Sequence, residues 1–161
     1  MPKIALDAID RRILDQLQRN ARLSNVELAE RVGLSPSPCL RRVRRLEEVG
    51  AIRRYVALLD PNLVGLGIVA FIGVRLERTV EQALDIFERA VRDRPEVLEC
   101  FPITGDIDFL LKVMTRDLPA YEQLMREHIL RIPGVSSTRT SFVLSAVKNE
   151  TALPLESVEA Q

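Results

Sequence analysis

The stretch Leu23-Ser24-Asn25-Val26-Glu27-Leu28-Ala29-Glu30-Arg31-Val32-Gly33-Leu34-Ser35-Pro36-Ser37-Pro38-Cys39 decides how this chain is read. Ser24 to Glu27 has the form of a capping box: the Ser24 hydroxyl can accept from the Glu27 amide while the Glu27 carboxylate reaches back. The helix it opens is short, with Val26, Leu28, Ala29 and Val32 on its apolar side. Gly33 ends it, because glycine takes up the left-handed conformation that closes a helix. Leu34 follows, then Ser35, a second capping serine. Pro36 falls at N1 and Pro38 at N3 of the next helix, among positions whose amides lack an intrahelical partner, so neither proline breaks it. A capped short helix, a three-residue turn and a capped second helix form the grammar of a helix-turn-helix.

Upstream, Asp7 caps a first helix, with Asp10 in its first turn favouring the positive end of the helix dipole. Ile9, Ile13, Leu14 and Leu17 share one face, and Asn20 to Arg22 form the exit. Downstream, the third helix runs to about Val49 and ends at Gly50. Cys39, Val43 and Leu46 give it an apolar side, Leu40 lies alongside, and Arg41, Arg42, Arg44 and Arg45 occupy most of the rest. Cys39 reads as a small buried apolar residue rather than a redox switch. A unit of about 50 residues has a thin core and needs support from the rest of the chain.

The 161 residues, 47% of them hydrophobic, allow one compact domain or two small ones. The 23 basic and 23 acidic residues cancel overall but not locally. Residues 1–54 carry 12 Lys/Arg against 7 Asp/Glu, and residues 55–161 carry 11 against 16. A basic front on an acidic back points to an anion-binding module attached to a separate body. The near-apolar run Leu63 to Val74 is 12 residues long, short of the roughly 20 that span a bilayer. Asp7, Asp10, Arg11 and Arg12 in the first helix rule out the apolar core of a signal peptide, so the expected compartment is the cytoplasm. Two cysteines make no disulfide framework, and with one histidine they make no structural zinc site. The single His128 also argues against a Ser-His-Asp arrangement, and no cofactor or metal is expected. No Trp and two Tyr argue against a stacking platform for single-stranded nucleic acid.

The back half reads as two βαβ units. Ala51 to Leu59 is a linker strand, and Asp60-Pro61-Asn62 is turn chemistry. Strands are expected over Leu66–Leu76, Val97–Ile103, Ile107–Thr115 and Val135–Val147. Thr79 caps a helix to about Arg92, Asp117 caps a second, and Thr104-Gly105-Asp106 is a tight hairpin turn. The order β-α-β-β-α-β is that of a ferredoxin-like split βαβ fold, an antiparallel sheet with both helices on one face. Its other face, rich in Val, Ile and Phe, calls for a second subunit's sheet. The fold class is therefore α+β. Residues 1–50 form a three-helix helix-turn-helix domain, 51–65 a linker strand and turn, 66–148 a ferredoxin-like βαββαβ sandwich domain, and 149–161 a loose polar tail.

The stretch from Leu23 to Cys39 resembles the helix-turn-helix of the leucine-responsive/asparagine-regulator (Lrp/AsnC, "feast/famine") transcription factors. Leu6-Asp7-Ala8-Ile9-Asp10-Arg11-Arg12-Ile13-Leu14 is similar to that family's first helix, and Arg42-Val43-Arg44-Arg45-Leu46-Glu47 to its recognition helix. Gly105-Asp106-Ile107-Asp108-Phe109, and Leu130-Arg131-Ile132-Pro133-Gly134-Val135 with Thr138-Arg139-Thr140, resemble its effector domain. Together these matches cover residues 5–148. The resemblance implies a sequence-specific regulator of double-stranded DNA. It also implies homodimers that assemble further, often to octamers, and a small-molecule effector, usually an amino acid, bound between subunits.

On this reading Ser35, Ser37 and Pro38 form the turn that enters the groove. Arg41, Arg42 and Arg45 contact guanine or phosphate, and Arg44 takes either role. One or two of these arginines are alternatively salt-bridged to Glu47 or Glu48. Ser24 and Asn25 either touch the DNA backbone or serve only as caps. For an amino-acid effector, Asp106 or Asp108 pairs with the ammonium, and amides around Thr104 and Gly105 meet the carboxylate. The family match adds hydroxyls from Thr138 and Thr140 of a neighbouring chain, and places Phe109 where relatives often have Tyr. The competing readings are an architectural protein that wraps DNA without an effector, and a ferredoxin-like enzyme with a helical appendage. The latter lacks a nucleophile–base pair, a cofactor motif or metal ligands.

Overall fold

In the computed structural model, which describes residues 5–77 and 82–155, Asp7 opens α1 (Ala8–Arg19). Its Oδ1 accepts the amides of Ile9 at 2.9 Å and Asp10 at 2.8 Å, while Asp10 Oδ2 accepts the Asp7 amide at 3.3 Å, a reciprocal box. Ser24 opens α2 (Asn25–Val32) in the same way, with Glu27 N to Ser24 Oγ at 3.2 Å and Ser24 N to Glu27 Oε2 at 2.8 Å. Gly33 closes α2 at φ 74°, and the Leu34 amide reaches back to Ala29 O at 2.9 Å. Then α3 spans Pro36–Glu48, within a residue of the expected end.

Ser35 occupies the N-cap of α3 but its side chain makes no capping bond. A capping serine accepts from the amide at N2 or N3; N3 here is Pro38, which has no N–H, and the Ser37 amide at N2 is not engaged by it. The three helices enclose Ile13, Leu17, Leu28, Ala29, Val32, Cys39 and Leu46. Cys39 is fully buried, and burial pushes its thiol up from the ordinary value.

The chain falls into two units: residues up to Ala57 together with those from Lys148, and Leu58–Val147. The second is built on β1 (Ile68–Leu76), α4 (Ala83–Arg92), β2 (Val97–Pro102), β3 (Phe109–Thr115), α5 (Leu118–Leu124) and β4 (Val135–Phe142). The sheet order is β2-β3-β1-β4 with every neighbour antiparallel. Alternate residues Ala70, Ile72, Val74 and Leu76 of β1 and Phe109, Leu111 and Val113 of β3 face a core shared with Phe87 and Val91 of α4 and Tyr121 and Leu124 of α5. Both helices thus cover one face, as the split βαβ pattern requires. Asp117 caps α5 through the Ala120 amide at 2.8 Å, and α5 continues into a π-helical turn over Met125–Ile129.

One expectation, the cap at Thr79, lies outside the described residues, and α4 is entered through Gln82 at φ 60°. Three others change. No strand forms within 51–65, because an extended segment needs a ladder partner. Tyr55 Oη instead donates to Glu47 Oε1 at 2.9 Å, and partial burial beside that carboxylate pushes the phenol up to about 12. The last strand stops at Phe142, where the Val143 amide bonds Val69 O at 2.9 Å and β1 runs out; Leu144 and Val147 are exposed. The tail is tied at Leu153. Leu153 donates to Gln18 Oε1 at 2.8 Å and accepts from Gln18 Nε2 at 2.9 Å, within the first unit.

The two serine caps make a matched test. Ser24→Ala removes a working cap and lowers stability by about 1 kcal/mol in urea unfolding followed by circular dichroism. Ser35→Ala removes no bond and stays within about 0.5 kcal/mol of the parent.

Candidate functional site

The turn between α2 and α3 is held by Asn25, whose Nδ2 donates to Pro36 O at 2.8 Å and whose Oδ1 is enclosed without a hydrogen-bond partner. Ser24 is engaged in its capping box, and bonds from the Ser24 hydroxyl and amide hold the Glu27 carboxyl below its usual value. Both residues are thus occupied with structure. Ser35 and Ser37 are exposed and Pro38 is half-buried. The amide supply at the α3 N-terminus is thinner than a helix start usually offers. Pro36 and Pro38 have no N–H, and the Cys39 amide bonds Ser35 O at 3.2 Å.

The four arginines separate into two stripes at i, i+4, i+7 spacing. Ser37, Arg41 and Arg44 form one, exposed throughout, and among the described residues neither arginine has an ion pair. Pro38, Arg42 and Arg45 form the other, which turns to α1. Arg42 Nη1 lies 2.6 Å from Asp7 Oδ2 and 2.8 Å from Asp10 Oδ1, and Arg45 Nη1 lies 3.0 Å from Asp10 Oδ2. Arg45 Nη2 also reaches Ala5 O at 3.4 Å. The salt-bridge partners are therefore Asp7 and Asp10 on another helix, not Glu47 or Glu48. Asp10 is 1% exposed. The amide of Asp10 and the Arg42 guanidinium hold the Asp7 carboxyl below its ordinary range, and Asp7 and Asp10 raise the guanidinium of Arg42. The signal in the sequence was two i, i+3 pairs, Asp7/Asp10 and Arg42/Arg45, on helices that must touch.

In the second unit the expected hairpin is a wider loop, Ile103–Asp108, closed by Ile103 N to Asp108 O at 3.0 Å. Asp108 ties this loop to β1: its amide donates to Val74 O at 2.8 Å and its Oδ2 accepts the Leu76 amide at 2.7 Å. Ile107 lies over Gly73, where an added Cβ would come within 2.7 Å of its Cδ1. Thr104, Gly105 (φ 119°) and Asp106 stand exposed, and among the described residues Asp106 has no partner. Thr138 and Thr140 sit across the ladder from Val74 and Ile72, hence on the helix-covered side, and the Thr140 hydroxyl is hydrogen-bonded to Tyr121 Oη. No hydrogen bond among the described residues joins the loop to either threonine. Phe109 is fully buried with its ring centroid 4.7 Å from that of Phe87, so the residue type there is a packing choice. Sequence reasoning did not find a cavity of about 340 Å³ bounded by Leu76, Glu77, Gln82, Ala83, Leu84, Asp85 and Asp108. Its acids come from segments far apart in the chain. Among the described residues no helix is long and apolar enough to cross a membrane.

A helix-turn-helix joined in one chain to a βαββαβ unit defines a class, the DNA-binding transcriptional regulator with a ligand-binding domain. Residues 6–53 match the winged helix-turn-helix DNA-binding family, and residues 69–153 match the Lrp/AsnC ligand binding domain. The chain belongs to the Lrp/AsnC family of transcriptional regulators. It is 46% identical over 151 residues to the leucine-responsive regulatory protein of Escherichia coli, covering 94% of this chain and 92% of that one. Among solved structures it is similar to a Neisseria meningitidis transcriptional regulator in complex with L-methionine, at 48% identity and a TM-score of 0.90 over 93% of this chain and 97% of that one. An AsnC-family regulator from Agrobacterium tumefaciens matches at 38% identity and a TM-score of 0.88, over 94% and 98% of the two chains.

Because the folded Asp7 carboxyl titrates below its unfolded value, its contribution is present above the unfolded value and is lost as pH falls through the folded one. Melting temperatures measured from pH 6 downward are expected to fall through the acidic carboxyl range (about 4 and below) less steeply in Asp7→Asn than in the parent. Asparagine keeps the cap and removes the titrating charge.

Proposed function

We propose that this regulator reads double-stranded DNA with the N-terminal half of α3 and answers to an amino acid bound at the Thr104–Asp108 loop. The observation that carries the DNA reading is the exposed stripe Ser37–Arg41–Arg44, which begins at the N-terminal turn of α3, with Ser35 at its head. Hydroxyls at the helix start suit phosphate, and unpaired guanidinium groups one and two turns on suit guanine edges or phosphate in a major groove. Arg42 and Arg45 lie on the adjoining stripe, and Ser24 and Asn25 support the turn.

For the effector, the leucine-responsive relative and the L-methionine complex of the Neisseria regulator support an amino acid as ligand class. Between the two aspartates, the free carboxylate of Asp106 suits the ammonium, since Asp108 already holds the loop to β1. The amide of Gly105 and the hydroxyl of Thr104 suit the carboxylate. Thr138 and Thr140, on the helix-covered side of the sheet, act on a neighbouring chain's ligand only through its contact with that side. The exposed Tyr55, Val56, Leu58 and Leu59 of the linker support self-association as homodimers and onward to octamers. The compartment that fits such a regulator is the cytoplasm.

The test has two arms. A thermal-shift screen of the twenty amino acids against the full chain is expected to raise the melting temperature with at least one, and Asp106→Ala to abolish that shift without changing DNA affinity. No shift with any of them would remove the amino-acid reading. On a duplex selected by the chain from a random pool, Arg41→Ala is expected to weaken binding by about 1–3 kcal/mol if it reads a base. Equal affinity for selected and scrambled duplexes at all salt concentrations would replace the operator-reading regulator with an architectural DNA-wrapping protein.

A further inference from the structure

The division of the α3 arginines goes further than which side chains meet DNA. We infer that Arg42 and Arg45 are positioning residues: through the buried carboxylate of Asp10 they set how α3 is held on α1, while Arg41 and Arg44 on the neighbouring stripe meet the duplex. The inference rests on the reading of α3 as the DNA-reading helix.

Each oxygen of Asp10 accepts from a different arginine, Oδ1 from Arg42 at 2.8 Å and Oδ2 from Arg45 at 3.0 Å. Oδ2 also takes the Asp7 amide, and Arg42 is shared with Asp7 at 2.6 Å. At 1% exposure the Asp10 carboxylate relies on protein donors. A phosphate that drew Arg42 away would leave a buried charge short of a partner, a strongly unfavourable exchange. Among the described residues, Arg41 and Arg44 have no internal bond to give up when they meet an anion. Arg42 and Arg45 lie one turn apart, so the clamp fixes both the rotation of α3 about its axis and its slide along α1. Rotation of a recognition helix decides which side chains reach base edges. Loss of the clamp should therefore blur recognition at every base position, whereas loss of Arg41 or Arg44 should act where that side chain touches.

Counterion release separates the two roles. A side chain that neutralises a phosphate contributes about one unit to the slope of log affinity against log salt, and one that only orients the helix contributes nothing. The experiment measures affinities of the full chain for its selected duplex and for a scrambled duplex between 50 and 200 mM salt, values on the scale over which such slopes are read. Arg41→Ala or Arg44→Ala is expected to lower the slope by about one unit if the contact is to phosphate, or to relax preference at one base position if it is to a base. Arg42→Ala and Asp10→Asn are expected to share a signature: unchanged slope, with the selected-to-scrambled ratio reduced at least tenfold. Asp10 is buried and acidic, so its agreement with Arg42 is a result that direct contact with DNA does not produce.

Arg42→Lys covers the case in which either of those variants fails to fold. A phosphate contact tolerates lysine, whereas one ammonium cannot reproduce the guanidinium fork, so the positioning role predicts a fallen ratio at an intact slope. A slope lowered by about one unit in Arg42→Ala, with full rescue by Arg42→Lys, would overturn the inference. Unaltered binding in all four single arginine variants would instead overturn the assignment of α3 to DNA.

Discussion

The carboxylate of Asp10 has lost nearly all contact with water, and in its place it accepts from Arg42 and Arg45, which tie α1 to α3. Among the described residues, seven buried residues with seven partly buried ones packed against them make up the core of the helical unit. A core in a unit of this size is thin. A buried ion pair adds little net stability against a well-packed apolar alternative. What it adds here, on the inference drawn above, is direction, with Arg42 and Arg45 each satisfying one oxygen of Asp10.

The sheet unit solves the same problem by other means. Its core gathers residues between Ala70 and Ile132 on the side of the sheet that α4 and α5 cover. With that scaffold rigid, the Ile103–Asp108 loop needs only local ties, and Asp108 supplies them to β1 through backbone and side chain alike. Gly73 lets Ile107 lie directly on the strand, which a Cβ would prevent without displacement. Two neighbouring aspartates thus have opposite fates: one is absorbed into the fold, the other is left at the tip with its charge unspent.

Much of this was legible in the residues because it is written in local rules. The capping box at Ser24, the left-handed closure at Gly33 and the harmless prolines at the start of α3 depend on neighbours a few positions away. The alternation and stop signals that mark the strands do too, and the βαββαβ order follows from them. The misreadings share one cause, which is that the deciding partner lay elsewhere. The serine at the head of α3 has the form of a cap, but one of the two amides it could take is replaced by Pro38. Arg42 and Arg45 meet aspartates 32 and 35 residues away, which their composition alone does not reveal. The segment after Gly50 has strand-forming residues and no strand, because pairing is a property of two segments. The tail seemed loose because nothing in its composition announces the side chain of Gln18, 135 positions earlier.

The two prolines at the head of α3 carry one more consequence. A helix start ordinarily presents several free amides, and these alone can hold a phosphate. Pro36 and Pro38 remove two of them, and Cys39 uses its own on Ser35 O, so of the first four residues Ser37 keeps the amide with no intrahelical acceptor. Ser35 makes no capping bond, so its hydroxyl stays available. On the proposed reading of α3, the prolines exchange fixed dipoles for rotatable side chains and leave the anion contacts to Arg41 and Arg44 further along the helix. An interface of that kind depends on α3 being held at the right rotation, since long side chains a turn apart reach a groove together or not at all. On the inference drawn above, the clamp at Asp10 meets that requirement, which gives a reason for a basic helix to commit two of its four arginines to its own protein.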